Sequence, residues 1–417
     1  MKILHTSDWH LGRRLLGRTR YSEFESFLNW LGDLMAEEHI DVLVNAGDVF
    51  DNTTPGNRSQ ELYYKFLNRI AASKCRHVVI IGGNHDSPSF LNAPKELLSF
   101  LNVHVVGAAR KEPEKEVFVL KDGAGKEELI VLAVPYLRDK DIRSVEPGEG
   151  VKVKEDKLIE GIRAHYKSAG AIAEKINNRL YRGGKGRKVP VIALGHLFAA
   201  GGKIRDGDGV RDLYIGSLAR VRADLFPGII DYTALGHLHT AQKVAGLDYI
   251  RYSGSPLPMG FSDAFDEKKV LIVKCSNKEG SDRINVKEVM VPRFREFVQI
   301  RGDLNQIKEQ INKVKAGNSL PWVEIIYTGD ELPGNLRNMI DDMMGKTDIE
   351  ILRIKNDRIS IKILEGQNLE QMEHNLENMD EFDVFKKCLK IHDIPESQHS
   401  DLMNSFREIV KSMLEEV

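Results

Sequence analysis

The amino-terminal part of the sequence predicts an α/β fold, and two observations carry this prediction. Up to about Lys274, short runs rich in β-branched residues alternate with helix-prone stretches. Several of these runs end in a polar cluster instead of a hairpin turn, as strands do in α/β sheets, where ligands gather at the carboxyl ends. The chain of 417 residues is also long enough for two or three domains.

The predicted strands of this core share a buried, β-branched character and lie at residues 2–6, 42–45, 78–81, 130–134, 189–194, 232–235 and 270–273. A polar, helix-prone insertion lies between Asp139 and Lys188. It ends in a basic, glycine-rich loop at 182–188, for which phosphate contact and plain solvation are both open interpretations.

A smaller β-α-β-α-β unit is predicted from segments at 297–300, 304–314, 322–327, 336–344 and 349–354. After a charged linker, the chain from Leu369 is helical and amphipathic, and Pro395 separates helices at 379–391 and 398–414. The apolar stripes of these helices are formed by Phe382, Phe385, Leu389, Leu402, Phe406, Ile409 and Met413. Core packing and docking onto another protein are both open for them. We expect domains at 1–285, 286–358 and 359–417.

Composition narrows the class of protein. A hydrophobic fraction of 41% and a charged fraction of 29% are ordinary for a globular protein, and a net charge of −2 excludes a globally basic nucleic-acid coat protein. Apolar runs fall far short of the roughly 20 residues that cross a bilayer, and the amino terminus has no signal-type pattern. Three widely spaced cysteines suit a reducing compartment. We therefore expect a cytoplasmic protein without a membrane partner.

Four polar clusters follow predicted strands, and each contains candidate ligands. They are Asp8-Trp9-His10, Gly47-Asp48-Val49-Phe50-Asp51, Gly82-Gly83-Asn84-His85-Asp86, and the pair Gly195-His196 with Gly236-His237-Leu238-His239. Residues i and i+2 of an extended chain point the same way, so two residues so spaced can aim at one centre. Glycine lets the backbone turn sharply at the sheet edge.

Five of the 13 histidines occupy these strand ends, which is too consistent for five unrelated structural histidines. Imidazole, carboxylate and amide oxygen together suit Mn²⁺, Fe²⁺ or Zn²⁺, and the lack of thiolates argues against a structural zinc site. Seven candidate ligands are too many for one ion but natural for two that share a carboxylate. Asp48 can bridge through its two oxygens.

These motifs resemble those of the calcineurin-like metallophosphoesterase superfamily over about residues 1–275. Every motif of the family pattern is present, and the motifs occur in the same order. The first three clusters, with Ser253-Gly254-Ser255-Pro256, look more narrowly like the SbcD nucleases, the catalytic subunits of SbcCD complexes. The resemblance implies a four-layer β-sandwich flanked by helices, a small βαβαβ capping domain and a carboxy-terminal helical segment.

The resemblance also implies the ligand sets for two Mn²⁺ ions, with Mg²⁺ or another divalent ion as an alternative. One ion would be held by Asp8, His10, Asp48 and His239, and the other by Asp48, Asn84, His196 and His237. His85 would act on the scissile phosphate or the leaving oxygen, and Asp51 could orient its imidazole. The expected reaction is in-line attack on DNA phosphorus by a hydroxide that bridges the two ions.

The basic loop after the first motif favours DNA as substrate. Arg13, Arg14, Arg18 and Arg20 lie close to the site because Asp8 and His10 anchor the start of the loop. The resemblance implies 3′–5′ exonuclease activity on duplex ends, endonuclease activity on single strands and hairpins, a homodimer, and an SbcC-like ATPase with a coiled coil as partner in DNA repair at the nucleoid. A phosphodiesterase for small molecules or cyclic nucleotides and a non-catalytic DNA-end scaffold are the alternatives.

Overall fold

The computed structural model describes residues 1–142, 151–181, 188–199, 223–276, 283–317, 319–329 and 336–356, and the single residues 385, 389, 402, 403 and 406. It divides into two units, Met1–Phe297 and Val298–Val417. The basic loop at 182–187 and most of the carboxy-terminal helices lie outside the described residues. No helix in the described part is long and apolar enough to cross a membrane.

The first sheet is built largely from strands whose residues are buried on both faces, as expected for parallel strands covered by helices. Its strands are β1 (Lys2–Thr6), β4 (Val42–Asn45), β5 (His77–Ile81), β6 (Val103–Val106), β13 (Lys269–Cys275) and β14 (Ile284–Met290), and their order is β14-β13-β1-β4-β5-β6. Strands β1, β4, β5 and β6 run parallel, whereas β13 pairs with β1 in the antiparallel sense.

The second sheet contains β7 (Val117–Lys121), β8 (Glu127–Ala133), β9 (Val191–His196), β10 (Tyr232–Gly236), β11 (Gln242–Val244) and β12 (Leu247–Tyr252), in the order β11-β12-β10-β9-β8-β7. Strands β8, β9, β10 and β12 are parallel neighbours. A two-stranded hairpin, β2 (Arg14–Leu15) with β3 (Arg18–Thr19), follows β1.

Helices cover the outer faces of both sheets. They are α1 (Tyr21–Glu37), α2 (Asn57–Ala71), α3 (Pro88–Asn92), α4 (Lys95–Ser99), α5 (Asp139–Ile142) and α6 (Val151–Leu180). Leu43 on the first sheet packs in one cluster with Phe27 of α1, and Leu132 on the second sheet packs with Tyr166 of α6. A third cluster, including Val44 and Ile192, fills the space between the sheets. The expected α/β, four-layer sandwich is therefore confirmed.

The described residues from Phe297 to Asn356 form three strands and two helices in the predicted β-α-β-α-β order. They are β15 (Phe297–Gly302), α7 (Leu304–Lys315), β16 (Trp322–Tyr327), α8 (Leu336–Met344) and β17 (Glu350–Asn356). Asp303 caps α7 in a capping box with Gln306. Of the carboxy-terminal stripe, Phe385 and Phe406 stack with their ring centroids 4.1 Å apart. The domain limits 1–285, 286–358 and 359–417 stay a prediction, although β14 pairs with β13 and so extends the first sheet to Met290.

Candidate metal centre

The five strand ends that carry the predicted ligands come together at one edge of the sandwich. The loop after β1 runs beside the loop after β4, because Asp8 N donates to Gly47 O (2.9 Å) and His10 N donates to Asp48 O (3.1 Å). The loop after β10 joins them where His237 N donates to Asp8 Oδ1 at 2.9 Å. Loops distant in sequence thus converge through hydrogen bonds donated by backbone N–H groups.

Asp48 lies between one histidine of each predicted ligand set, His10 and His196. Within the described residues, Asp8, His10 and His239 form one group, and Asp8, Asp48 and His196 form another, each with its ligand atoms within 4.8 Å of one another. Asp48 Oδ2 lies 3.7 Å from His10 Nε2 and 3.3 Å from His196 Nε2. A carboxylate in this position can serve two ions.

Asn84 faces two histidines of the second predicted set. Its Oδ1 lies 2.9 Å from His196 Nε2 and 3.0 Å from His237 Nδ1. His196 Nδ1 bonds the carbonyl of Ala46 at 2.8 Å, so its Nε2 is the nitrogen that faces the site. An amide oxygen, imidazole nitrogens and a carboxylate are a donor set that fits a divalent ion of the manganese or iron type. The residues present therefore fit the metals that the sequence predicted.

The backbone of the site is strained where the ligands lie. Asp8, His10, Asp48 and His237 all have positive φ, at 51°, 46°, 52° and 97°. Non-glycine residues rarely adopt this conformation, and such strain concentrates at functional sites. Gly47, with φ of 95°, is needed here because a Cβ at this position would lie 2.5 Å from His196 Nδ1. The turns therefore hold ligands in positions that ordinary loops do not reach.

The buried carboxylates and imidazoles of the site shift one another's pKa values. Burial raises the pKa of Asp8 to about 6, and the nearby Asp48 adds to this effect. Burial also disfavours ionisation of Asp48, but His196 and His10 outweigh it and hold the pKa of Asp48 well below its usual range. Burial lowers the pKa of His196, but Asp48 outweighs burial and raises it to about 9, whereas burial and then His196 lower the pKa of His237 to about 3.

His85 is buried beside the ligands, with its ring centroid 4.8 Å from that of His10. Its Nδ1 bonds the backbone carbonyl of Asp51 at 2.8 Å. The Asp51 carboxylate has Oδ1 3.3 Å from His10 Nδ1 and 3.1 Å from Arg13 Nη1. One of its oxygens also lies within 4.8 Å of a ring nitrogen of His85, so the orienting role expected for Asp51 stays a prediction.

The four arginines of the basic loop have different surroundings. Arg14 and Arg18 are exposed on the β2–β3 hairpin, whereas Arg13 is partly buried against Asp51. Arg20 is 1% exposed, and its guanidinium bonds both carboxylate oxygens of Glu23 and the carbonyl of Pro258. Burial, with three donor N–H groups bonded inside the fold, does not favour the predicted DNA-binding role of Arg20, which is therefore left out of the DNA site proposed below.

Sequence reasoning missed several residues that hold the ligands. The Asp86 carboxylate accepts from the backbone N–H groups of Val49, Phe50 and Gly83, which ties the second motif to the third. Ser7 Oγ donates to Asp8 Oδ2 and lies 2.8 Å from Ser253 Oγ. Asp86 and Ser253 belong to motifs that were noted in the sequence, but the pattern gave no sign of which groups they hold.

Comparison with known proteins gives two matching families. The calcineurin-like phosphoesterase family matches residues 1–241, and the family described as the Type 5 capsule protein repressor C-terminal domain matches residues 293–392. The first match covers the strand ends of the candidate metal centre.

Individual relatives are similar over most of the chain. The chain is 32% identical to the SbcD subunit of the nuclease SbcCD from Escherichia coli (strain K12) over 409 residues, which are 97% of each protein. It is 31% identical to the protein of the same name from Bacillus subtilis (strain 168), over 80% of each chain. The Rhodobacter capsulatus protein of that name is 36% identical over 271 residues, 63% of this chain and 64% of its own.

Proposed function

Since the chain belongs to the calcineurin-like phosphoesterases and, within them, to the family of SbcD nucleases, we propose that it is a manganese-dependent DNA nuclease that works in an SbcCD-like complex. The observation that carries this proposal is the position of Asp48 between His10 and His196. A shared carboxylate between two sets of imidazoles supports a pair of divalent ions, which is suited to cleaving phosphodiesters.

The residues would hold two Mn²⁺ ions per chain, with Mg²⁺ as a possible substitute. Asp8, His10, Asp48 and His239 would hold one ion, and Asp48, Asn84, His196 and His237 would hold the other. The group of Asp8, His10 and His239 supports the first set. The contacts of Asn84 Oδ1 with His196 and His237 support the second. When bound, the ions supply positive charge to the phosphate and lower the pKa of water.

The protein's own groups would orient the reacting phosphate and manage the proton of the leaving oxygen. His85 is buried beside the predicted ligands, and the bond from its Nδ1 to the Asp51 carbonyl orients the ring. As an imidazolium, it would stabilise charge on the phosphate oxygens and donate a proton to the departing oxygen. The Asp86 carboxylate accepts hydrogen bonds from backbone N–H groups of both loops, which fixes the position of His85 relative to Asp48.

DNA is the proposed polymer, bound through phosphates near the β2–β3 hairpin. Arg14 and Arg18 are exposed there, on the two strands that flank a two-residue turn. Leu16 and Gly17 form this turn, and both have positive φ. Their guanidinium groups suit phosphate oxygens. The proposed substrates are duplex ends, cut from 3′ to 5′, and single strands and hairpins, cut internally, in double-strand break repair and recombination.

Two protein partners are proposed. The segment 359–417 would dock on the coiled coil of an SbcC-like ATPase. The segment 286–358 would cap the DNA. The complex would act in the cytoplasm, at the nucleoid. A second copy of the chain would bind the nuclease domain. The exposed apolar side chains of Leu97, Phe100 and Leu101, at and just after α4, support a protein contact at that face.

One assay tests the proposal against the main alternative. A blunt duplex, a DNA hairpin and a cyclic nucleotide are each incubated with Mn²⁺ or Mg²⁺, with and without the partner ATPase. We expect manganese-dependent cutting of both DNA substrates, with ATP control only when the ATPase is present. Turnover of the cyclic nucleotide without DNA cutting would favour a small-molecule phosphodiesterase instead.

A further inference from the structure

A buried ion pair lies outside all the motifs. Lys268 and Asp263 have side chains that are 8% and 0% exposed, and they form a salt bridge just before β13. Desolvating two charges is costly, and apolar residues of similar size often stabilise a fold as well or better. We therefore examine which groups the two charged side chains hold in place.

The Lys268 ammonium has three acceptors for its three N–H groups. They are the Asp263 carboxylate, Ser255 Oγ at 3.1 Å and the backbone carbonyl of His239 at 3.3 Å. Asp263 is held in turn by the backbone N–H groups of Met259 (3.0 Å) and Gly260 (2.8 Å). The ammonium is thus fixed by a rigid turn, and one of its hydrogen bonds ends on a proposed metal ligand.

The carbonyl of His239 also accepts a hydrogen bond from the Ser253-Gly254-Ser255 loop. Ser255 N donates to it at 3.1 Å. Gly254, with φ of 74°, permits this approach, because a Cβ there would lie 2.8 Å from the same carbonyl oxygen. The Ser255 hydroxyl has one proton and lies closer to Leu257 O (3.0 Å) than to His239 O (3.3 Å), so it can donate to Leu257 and accept from Lys268.

Fixing this carbonyl fixes the direction of the His239 side chain. The chain between β10 and β11 is irregular, with positive φ at His237, so no strand pairing holds His239 in place. Its imidazole nevertheless reaches the site, with Nε2 3.2 Å from Nε2 of His10. Small changes in the peptide plane would move that nitrogen away from the ligand atoms of Asp8 and His10.

We propose that Lys268, paired with Asp263, is a positioning residue for His239, and that it sets the affinity of the metal position containing Asp8, His10 and His239. This inference rests on the ligand sets proposed above. It assigns a function to a buried charge pair that the reaction itself does not use. The other metal position, with Asn84, His196 and His237, has no contact with Lys268 among the hydrogen bonds of the described residues.

The test compares Mn²⁺ binding by the full-length chain and three variants. Lys268→Met alone leaves Asp263 buried without a partner and can fail to fold, so the decisive variant is Lys268→Met/Asp263→Asn, which is neutral as a pair. Arg251→Met is the matched control, because Arg251 is a buried cation that pairs with Asp248 and Glu288 and contacts no proposed ligand. Calorimetry gives the number and affinity of ions, and electron paramagnetic resonance distinguishes paired from isolated Mn²⁺.

We expect the wild type and Arg251→Met to bind two ions alike, and the double variant to bind one ion normally and the other about 10- to 100-fold more weakly. At intermediate Mn²⁺ concentrations, the double variant should then show the spectrum of isolated Mn²⁺. Two ions of wild-type affinity in the double variant, or equal weakening at both positions, would overturn the role of Lys268. Fewer than two ions in the wild type would instead overturn the proposed ligand sets.

Discussion

The imidazole of His85 is held by the backbone carbonyl of Asp51, whose oxygen lies 2.8 Å from Nδ1. The carboxylate of Asp51 lies 3.3 Å from Nδ1 of His10 and 3.1 Å from Nη1 of Arg13, and it forms one group of ligand atoms with His10 and His85. A histidine that binds metal through one nitrogen and a carboxylate through the other is a common arrangement, and the carboxylate orients the ring and raises its basicity. The two functions of Asp51 can therefore be separated by substitution.

Asp51→Asn keeps the carbonyl that holds His85 but removes the charge beside His10. We expect the apparent affinity for Mn²⁺ to fall about 10- to 100-fold, with turnover at saturating Mn²⁺ close to that of the wild type. The measurement is a titration of DNA cleavage with Mn²⁺, accompanied by calorimetry. A variant with both wild-type metal affinity and full turnover would show that the Asp51 side chain has no role.

His85→Ala should separate metal binding from cleavage. The predicted ligands remain, so two Mn²⁺ ions should bind as in the wild type, whereas cleavage should slow by about 10²- to 10⁴-fold because the imidazole no longer assists the leaving oxygen. Single-turnover cleavage of a duplex, with calorimetry as control, measures both effects. Wild-type cutting by a folded His85→Ala protein would contradict the assignment.

The exposed and buried arginines of the basic loop should behave in opposite ways. Arg14→Ala and Arg18→Ala should each weaken DNA binding, and each lost phosphate contact should reduce the slope of log K against log salt by about 0.9.

Arg20→Met serves as the contrast. It should lower the free energy of unfolding by about 3–5 kcal/mol, because Glu23 stays buried without its partner, and leave the salt slope unchanged. Binding isotherms at several salt concentrations and urea unfolding distinguish these outcomes, and an unchanged slope in Arg14→Ala and Arg18→Ala would remove the hairpin from the DNA site.

His5 should make the stability of the nuclease domain depend on pH. It is fully buried, bonds Tyr232 Oη (2.9 Å) and Leu235 O (3.2 Å), and burial lowers its pKa to about 3. The unfolded chain, with an ordinary histidine pKa near 6.5, binds the proton first as pH falls. The free energy of unfolding that neutral, buried His5 contributes is therefore fully present above about pH 6.5. It decreases toward pH 3, by up to about 1.4 kcal/mol per pH unit.

The comparison of wild type with His5→Gln isolates this contribution. Urea unfolding with a chelator present, at pH 8 and pH 5, should show a smaller difference in the free energy of unfolding at pH 5. An equal difference at both pH values would mean that His5 is not held neutral in the fold.

The sequence allowed most of the nuclease fold to be predicted, because its determinants are local. Strand β4, with the sequence Val-Leu-Val-Asn, is apolar on both faces, which only a covered parallel strand tolerates. Asp48 follows three residues later, after a glycine that has positive φ. The strand and the position of its ligand therefore followed from a short stretch of sequence.

The remaining features depend on residues that are distant in the chain. Arg20 is buried because Pro258, 238 residues away, offers a carbonyl to its guanidinium, and no local pattern indicates this. The direction of the Asp51 carboxylate depends on where the β1 loop places His10 and Arg13. Lys268 lies in no motif, and only the folded chain brings it to His239. Side-chain partners of this kind require the structure.

In the proposed metal centre, one chain holds two divalent ions that share Asp48. The most direct test is to count and locate Mn²⁺ by calorimetry and by anomalous scattering from crystals grown with Mn²⁺. We predict two ions per chain at saturation, one beside Asp8, His10 and His239 and one beside Asn84, His196 and His237, both contacting Asp48. A single ion at saturation, or a second ion that does not contact Asp48, would show that Asp48 is not shared by two ions.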